Sequence, residues 1–344
     1  MTLRIGVIGA GAMGSAHCRT IARDLSGAEL AAVSDVDTER AARVAAELGD
    51  AQVHEDPDEL IADAAVDAVL VASSDATHQA FVLACLRAEK PVLCEKPLAP
   101  TAEASLSVVE AEAATGRRLV QVAFMRRFDP GYVVLKHRLD RGDVGAALLV
   151  HCAHRNASVP HGFTSEMLIT SSVTHEIDVT RWLLGEEIVA ATVHTPRPSR
   201  LAPEGVRDPQ LVLLETEDGA LVDVEIFVNA RYGYDIRCEV VGESGALALA
   251  APVAVEVRRE GQDGHAVDDD FRGRFVAAYR AQLQAWVHAL GDGGPDGPSA
   301  WDGYAAAAVG DACLRSLAGG GRAEVRLAPR PALYADGGRV AVTR

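Results

Sequence analysis

The chain has 344 residues, 49% hydrophobic and 24% charged, which is enough apolar material for two packed units and excludes disorder as the main state. Its 33 Lys and Arg against 49 Asp and Glu give a formal net charge of −16, a balance that disfavours nucleic acid and anionic membrane surfaces as partners. No apolar run reaches the roughly 20 residues of a membrane helix.

Gly9, Gly11 and Gly14 break the first apolar run where a signal peptide needs continuity, so a cytoplasmic location is expected. The six cysteines (Cys18, Cys85, Cys94, Cys152, Cys238 and Cys313) lie far apart without a C-x-x-C. They read as reduced, buried thiols rather than as a disulfide framework or a zinc site.

In chain order, Leu3 to Ile8 reads as a strand, Ala12 to Asp24 as a helix, Glu29 to Ser34 as a strand and Thr38 to Leu48 as a helix. A short strand near Val53 precedes a continuous apolar strand over Val66 to Ala72, a helix over His78 to Ala88 and a strand over Pro91 to Cys94. A helix over Thr101 to Thr115 and a strand over Leu119 to Ala123 close this half. Apolar runs without alternation mark strands covered on both faces, so residues 1–123 are predicted to form an α/β Rossmann domain with a doubly wound parallel sheet.

From about Phe124 the pattern changes. Helices over Tyr132 to Arg141 and Glu176 to Leu184 flank runs at Ala146 to Ala153, Val189 to His194, Leu211 to Glu215 and Leu221 to Val228. Further runs lie at Ile236 to Val241, Ala246 to Leu249 and Val253 to Val257, with hairpin signals at Glu217-Asp218-Gly219 and Gly242-Glu243-Ser244-Gly245. Two helices, Phe275 to Leu290 and Trp301 to Leu317, follow. Residues 124–344 are therefore predicted to form an α+β domain with a mostly antiparallel sheet.

Gly9-Ala10-Gly11-Ala12-Met13-Gly14 is a G-x-G-x-x-G that follows the first strand and opens the first helix, the context in which the pattern signals dinucleotide binding. Gly9 allows the tight turn, Gly11 the approach of a pyrophosphate, and Gly14 close packing of helix on strand. Asp35 follows Gly14 by 21 residues at the end of the second strand, placed to bond the adenosine ribose. Its charge repels a 2′-phosphate and the neighbouring Val36 supplies no arginine to attract one, so NAD is the expected cofactor.

A nicotinamide cofactor implies hydride transfer, which needs a proton acceptor and a group that stabilises an alkoxide. Lys96, in Cys94-Glu95-Lys96-Pro97 at the carboxyl end of a predicted parallel strand, is the candidate donor to the substrate oxygen. His175, in Ser171-Ser172-Val173-Thr174-His175-Glu176-Ile177-Asp178, is the candidate base. Ser and Thr before it read as helix caps, and the positive end of the helix would keep the imidazole neutral. A solvated Lys before a proline and a His in a capping turn are the plainer alternatives. A second His four residues after His175 is lacking, since Val179 stands there, and His151 and His154 alternate across a strand, so no metal site is expected. His154 and Asn156 share one face of an extended segment, and Tyr234 offers a hydroxyl beside Gly233; both fit a polyol pocket.

Together these residues resemble the glucose–fructose oxidoreductase and inositol dehydrogenase superfamily. Glu95-Lys96-Pro97 marks the superfamily. Phe124-Met125-Arg126-Arg127-Phe128-Asp129 and His151-Cys152-Ala153-His154-Arg155-Asn156 resemble the inositol enzymes within it. The resemblance implies NAD-dependent oxidation of the axial hydroxyl of myo-inositol by a homo-oligomer, usually a tetramer. It casts Lys96 and His175 as the catalytic pair and Met125, Arg126, His154, Asn156 and Tyr234 as pocket residues, with Ser171 and Ser172 beside them. Glu95, Lys96 and the loop carrying Ser73, Ser74 and His78 fall on the cofactor side, and a cis peptide is implied before Pro97.

Two departures stand out. The family's Asp four residues before the catalytic His is replaced by Ser171, and the loop Ser73 to His78 differs from the usual inositol enzyme pattern. They keep open a dehydrogenase for another polyol, such as scyllo-inositol, an amino-cyclitol or a pyranose. They also keep open an NAD-binding sensor or partner subunit with impaired turnover. Arg126 and Arg127, on a loop, are expected to be solvated.

Overall fold

A computed structural model describes residues 2–49, 51–250 and 255–335. The N-terminal unit runs β1 (Leu3–Ile8), α1 (Ala12–Asp24), β2 (Ala28–Ser34), α2 (Thr38–Glu47), β3 (Gln52–His54), α3 (Pro57–Ala62), β4 (Ala68–Val71), α4 (Asp75–Arg87), β5 (Val92–Cys94), α5 (Ala102–Thr115) and β6 (Val120–Val122). Its six parallel strands lie in the order β3-β2-β1-β4-β5-β6. Chain direction across the sheet therefore reverses between β1 and β4, and the crevice at their carboxyl ends is where such sheets bind ligands. Helix α3 has no counterpart in the predicted elements, although its signal is local: Asp56 caps the Asp58 amide and Pro57 occupies the first turn.

The second unit contains α6 (Pro130–Asp140), β7 (Ala147–Arg155), α7 (Thr174–Leu184), β8 (Ile188–His194), β9 (Gln210–Thr216), β10 (Leu221–Phe227), β11 (Asp235–Gly242) and β12 (Gly245–Ala248). The hairpin β13 (Val257–Arg259) and β14 (Gln262–Gly264) follows, then α8 (Phe271–Arg274), α9 (Val276–Gly291), α10 (Ala300–Gly319) and β15 (Ala323–Glu324). Of the expected strand Val253 to Val257, Val253 and Ala254 lie outside the described residues, Val255 and Glu256 belong to no strand, and Val257 opens β13. The large sheet has the order β12-β11-β7-β10-β9-β8-β15, and only the β7–β10 pair is parallel. Residues alternate along these strands. Val150, Cys152, Val212, Leu214, Val222, Val224 and Val240 are buried, while Leu149, Leu211, Leu213 and Leu221 emerge on the other face.

The chain divides less simply than into residues 1–123 and 124–344. Residues 279–307 and the segment from Leu327 cluster with residues 1–124, and residues 125–278 with 308–326 form the other unit. The reason is packing. Leu283, Trp286 and Val287 of α9 are buried in one core with Ile5, Val7, Ile21 and Val33. Tyr334 donates from its hydroxyl to Glu112 at 2.6 Å.

Candidate active site

In the N-terminal unit the glycines are required by geometry. A Cβ on Gly14 would lie 1.8 Å from the Gly9 carbonyl oxygen, and one on Gly9 would lie 2.4 Å from that of Ala72. Gly9 also has φ +99°, in the region that favours glycine. Gly11, by contrast, faces open space, with Ala12 and Met13 opening α1 beyond it. This bare backbone at a helix start fits the pyrophosphate of a dinucleotide.

The Asp35 carboxylate accepts from the Ala10 amide at 2.6 Å and from the Asp37 amide at 2.8 Å, beside the same loop. Val36 is fully exposed. The structure corrects one part of the sequence reading here: an arginine does stand beside Asp35. Arg40, in the first turn of α2, donates to Asp35 Oδ1 at 2.6 Å. Burial works against the Asp35 charge, but Arg40 and the two amides outweigh it and hold the carboxyl below its ordinary range.

At the carboxyl end of β5, Lys96 is half-buried and its peptide bond to Pro97 is cis, as the resemblance implied. Glu95 is buried. One oxygen meets His17 Nε2 at 2.7 Å, and the other accepts the Lys96 amide at 3.2 Å. Burial pushes Glu95 up, and the hydrogen bond and charge of His17 bring it below the usual value. His78 is 1% exposed and sits between two backbones. Its Nδ1 donates to the Pro97 carbonyl at 2.7 Å, and Nε2 lies 3.3 Å from the Ser73 carbonyl oxygen. Ser73 Oγ is 2.7 Å from Thr77 Oγ1, and Ser74 precedes α4 without capping it through its side chain. His78 thus braces the Lys96-Pro97 turn against the Ser73 loop. His17 had no role in the sequence reading; its position on α1 facing the start of the Glu95 turn was the available signal.

In the second unit a run of π-helix, Leu168–Val173, carries Ser171 and Ser172 and continues into α7. The Thr174 amide is bonded back to Ile169, and neither serine caps a helix start. The expected capping turn is therefore absent, and with it the argument that a free helix N-terminus keeps His175 neutral. Such π segments recur at functional sites because the extra residue re-aims a side chain.

His175, His154 and Tyr234 come together. The two imidazole rings are 6.5 Å apart between centroids, and the Tyr234 ring meets His154 edge-on at 5.7 Å. Gly233, at φ +138°, makes this possible, since a Cβ there would lie 2.6 Å from Val267 and 2.9 Å from the Asp268 carbonyl oxygen. Asn156 follows β7 directly. Its backbone bonds to Phe227 and Ala230, and its Oδ1 is buried with no partner among the described residues.

Met125 and Arg126 lie in the 3-10 turn Met125–Phe128 and are buried. The expectation that Arg126 and Arg127 are solvated is wrong. Arg126, 1% exposed, pairs with Glu176 and lies 3.3 Å from His154 Nδ1, which is itself 3.1 Å from both Glu176 oxygens. Burial opposes the Glu176 charge, but Arg126 and His154 overcome it and hold the carboxyl below its ordinary value. Arg127 binds Asp178 through two nitrogens, at 3.0 and 2.5 Å. Both carboxylates after His175 are thus held by arginines.

Residues 3–124 match an oxidoreductase family described by its NAD-binding Rossmann fold, and residues 136–325 match the C-terminal alpha/beta domain of the same family. The chain belongs to the GFO/IDH/MocA oxidoreductases. Among members of this family it is 58% identical over 335 residues to Inositol 2-dehydrogenase 2 of Saccharopolyspora erythraea, covering 97% of this chain and 99% of that protein. It is 50% identical to Inositol 2-dehydrogenase of Burkholderia ambifaria over the same shares of the two chains. The structure superposes with a TM-score of 0.94 on myo-inositol dehydrogenase from Lactobacillus casei in complex with NAD(H) and myo-inositol, at 38% identity, covering 97% of this chain and 100% of that one. Scyllo-inositol dehydrogenase of Lactobacillus casei with bound NAD(H) and scyllo-inositol gives 0.87 at 27% identity, covering 94% of this chain and 99% of that one. The glycine loop and Asp35 thus belong to an NAD-binding Rossmann fold, and the protein is an oxidoreductase that acts on CH–OH.

Proposed function

We propose that this family member oxidises a ring hydroxyl of a cyclitol, with myo-inositol as the first substrate, to the ketone. The observation that carries the reading is the meeting of His154 with His175 and with Tyr234, all three buried, joined to 58% identity with an inositol 2-dehydrogenase. Bound NAD supplies the hydride acceptor. Gly9, Gly11 and Gly14 hold its pyrophosphate and Asp35 its ribose; Ala12, Met13, Val36, Ser73, Ser74, His78 and Glu95 shape the surrounding wall. His175 is the group suited to take the hydroxyl proton, and the Lys96 ammonium is the group suited to stabilise charge on an alkoxide. Met125, Arg126, His154, Asn156, Ser171, Ser172 and Tyr234 orient the ring through its hydroxyls. Arg126 does so indirectly, by fixing Glu176 and His154.

Ser171 at the position of the family's Asp favours a second reading, oxidation of a different cyclitol or polyol. The test is the NADH absorbance band after mixing the protein and NAD with myo-inositol, scyllo-inositol, an amino-cyclitol and a pyranose. The fastest rise with myo-inositol is expected. A flat trace for every compound, with NAD still bound, would overturn the enzymatic reading in favour of a sensor. No helix of the described residues is long and apolar enough to cross a membrane. A homo-oligomer fits the exposed Leu149, Leu211, Leu213 and Leu221 on one sheet face, which a second copy would cover.

A further inference from the structure

The pair formed by Asp35 and Arg40 bears on a choice separate from the substrate: which dinucleotide the N-terminal unit accepts. An ionised carboxylate has about four sites for donors. At Asp35 three are taken, by the Ala10 amide, the Asp37 amide and Arg40 Nη2, which leaves one for a ribose hydroxyl. Arg40 arises from the third residue of α2, where Asp37 caps its amide at 3.0 Å, and its side chain runs back to the strand end. Its Nη1 lies 3.9 Å from Asp37, and its Nε is buried without a partner among the described residues. The side chain is 40% exposed, beside the fully exposed Val36, so one edge of the guanidinium remains open to an incoming group.

We propose that Arg40 is a second specificity-determining residue: paired with Asp35 it fixes the carboxylate for an unphosphorylated ribose, and once Asp35 is removed it becomes the binding group for a 2′-phosphate. The two roles follow from one geometry. With Asp35 present, the guanidinium is engaged and the carboxylate repels a dianion placed beside it. Without Asp35, a planar fork of N–H donors is released at the end of β2, and such a fork matches phosphate. NAD selectivity is then held by one carboxylate set against a cation that would favour the opposite choice.

The test uses fragments and needs no substrate, so it stands apart from the cyclitol reading. Binding of 5′-AMP and of adenosine 2′,5′-bisphosphate, which differ only in the 2′-phosphate, is measured by titration calorimetry on the full chain. Asp35→Ala is expected to tighten the bisphosphate about 10- to 100-fold, the worth of a charge-assisted contact. Arg40→Ala is expected to loosen 5′-AMP by about 3- to 10-fold, the loss of one oriented hydrogen bond. In Asp35→Ala/Arg40→Ala the gain for the bisphosphate disappears. Asp35→Asn, which keeps the shape of the site, guards against loss of fold and should show the same order of affinities. If the double variant binds the bisphosphate as tightly as Asp35→Ala does, or if neither Asp35 variant gains, the assignment of Arg40 is overturned.

Discussion

Glu176→Gln isolates the buried charge cluster. Wild-type Glu176 faces Arg126, which is almost entirely excluded from solvent, and His154 at 3.1 Å from both its oxygens. The substitution keeps the shape and removes the charge, leaving a guanidinium that can neither reach water nor lose its proton. Removing one partner of a buried pair costs about 3–5 kcal/mol, because the remaining charge keeps its desolvation penalty. At a urea dependence of roughly 3 kcal/mol per M this moves the unfolding midpoint down by about 1 M or more. Arg126→Met combined with Glu176→Gln should recover much of the loss, since the two sites share one interaction.

The pH dependence supplies a second check. The Glu176 carboxyl is held below its ordinary value in the fold, so its contribution is fully present above the unfolded carboxylate pKa of about 4.3 and is lost as pH falls through the folded value. The gap between wild type and Glu176→Gln must therefore narrow in acid. A Glu176→Gln protein within about 1 kcal/mol of wild type near neutral pH, where the pair should contribute fully, would refute the reasoning.

Other outcomes are specific. Lys96→Ala and His175→Ala should each lower kcat by about 10²- to 10⁴-fold while NAD affinity, read by fluorescence titration, stays nearly constant; wild-type turnover in either variant counts against its role. Ser171→Asp should raise kcat on myo-inositol if the position serves the same task as the family's Asp, and a fall would point to another substrate. Tyr334→Phe removes the donor to a buried Glu112, whose carboxyl burial pushes up, and should cost about 1–3 kcal/mol in thermal unfolding; no change would mean that the contact is dispensable. All six cysteines are buried, with Cys18, Cys85 and Cys313 pushed up to about 12 by burial, so a thiol reagent at pH 8 should label none until the chain unfolds.

The features legible in consecutive residues are local in origin. The strand, glycine turn and helix over residues 3–24, the carboxylate ending β2 and the Glu95-Lys96-Pro97 turn are each written in consecutive residues, and steric limits on a short stretch leave few alternatives. The strand runs with apolar residues on both faces gave the parallel sheet, and the alternating ones gave the mostly antiparallel second sheet. Features that depend on distant partners emerge only in the folded packing. Arg126 and Arg127 look like loop cations until Glu176 and Asp178, about fifty residues on, bury and pair them. The serines before His175 look like caps until packing draws them into a π-helix, and α9 looks like part of the second domain until Trp286 enters the first core. Burial and charge pairing are properties of what surrounds a side chain, and sequence neighbours do not report them.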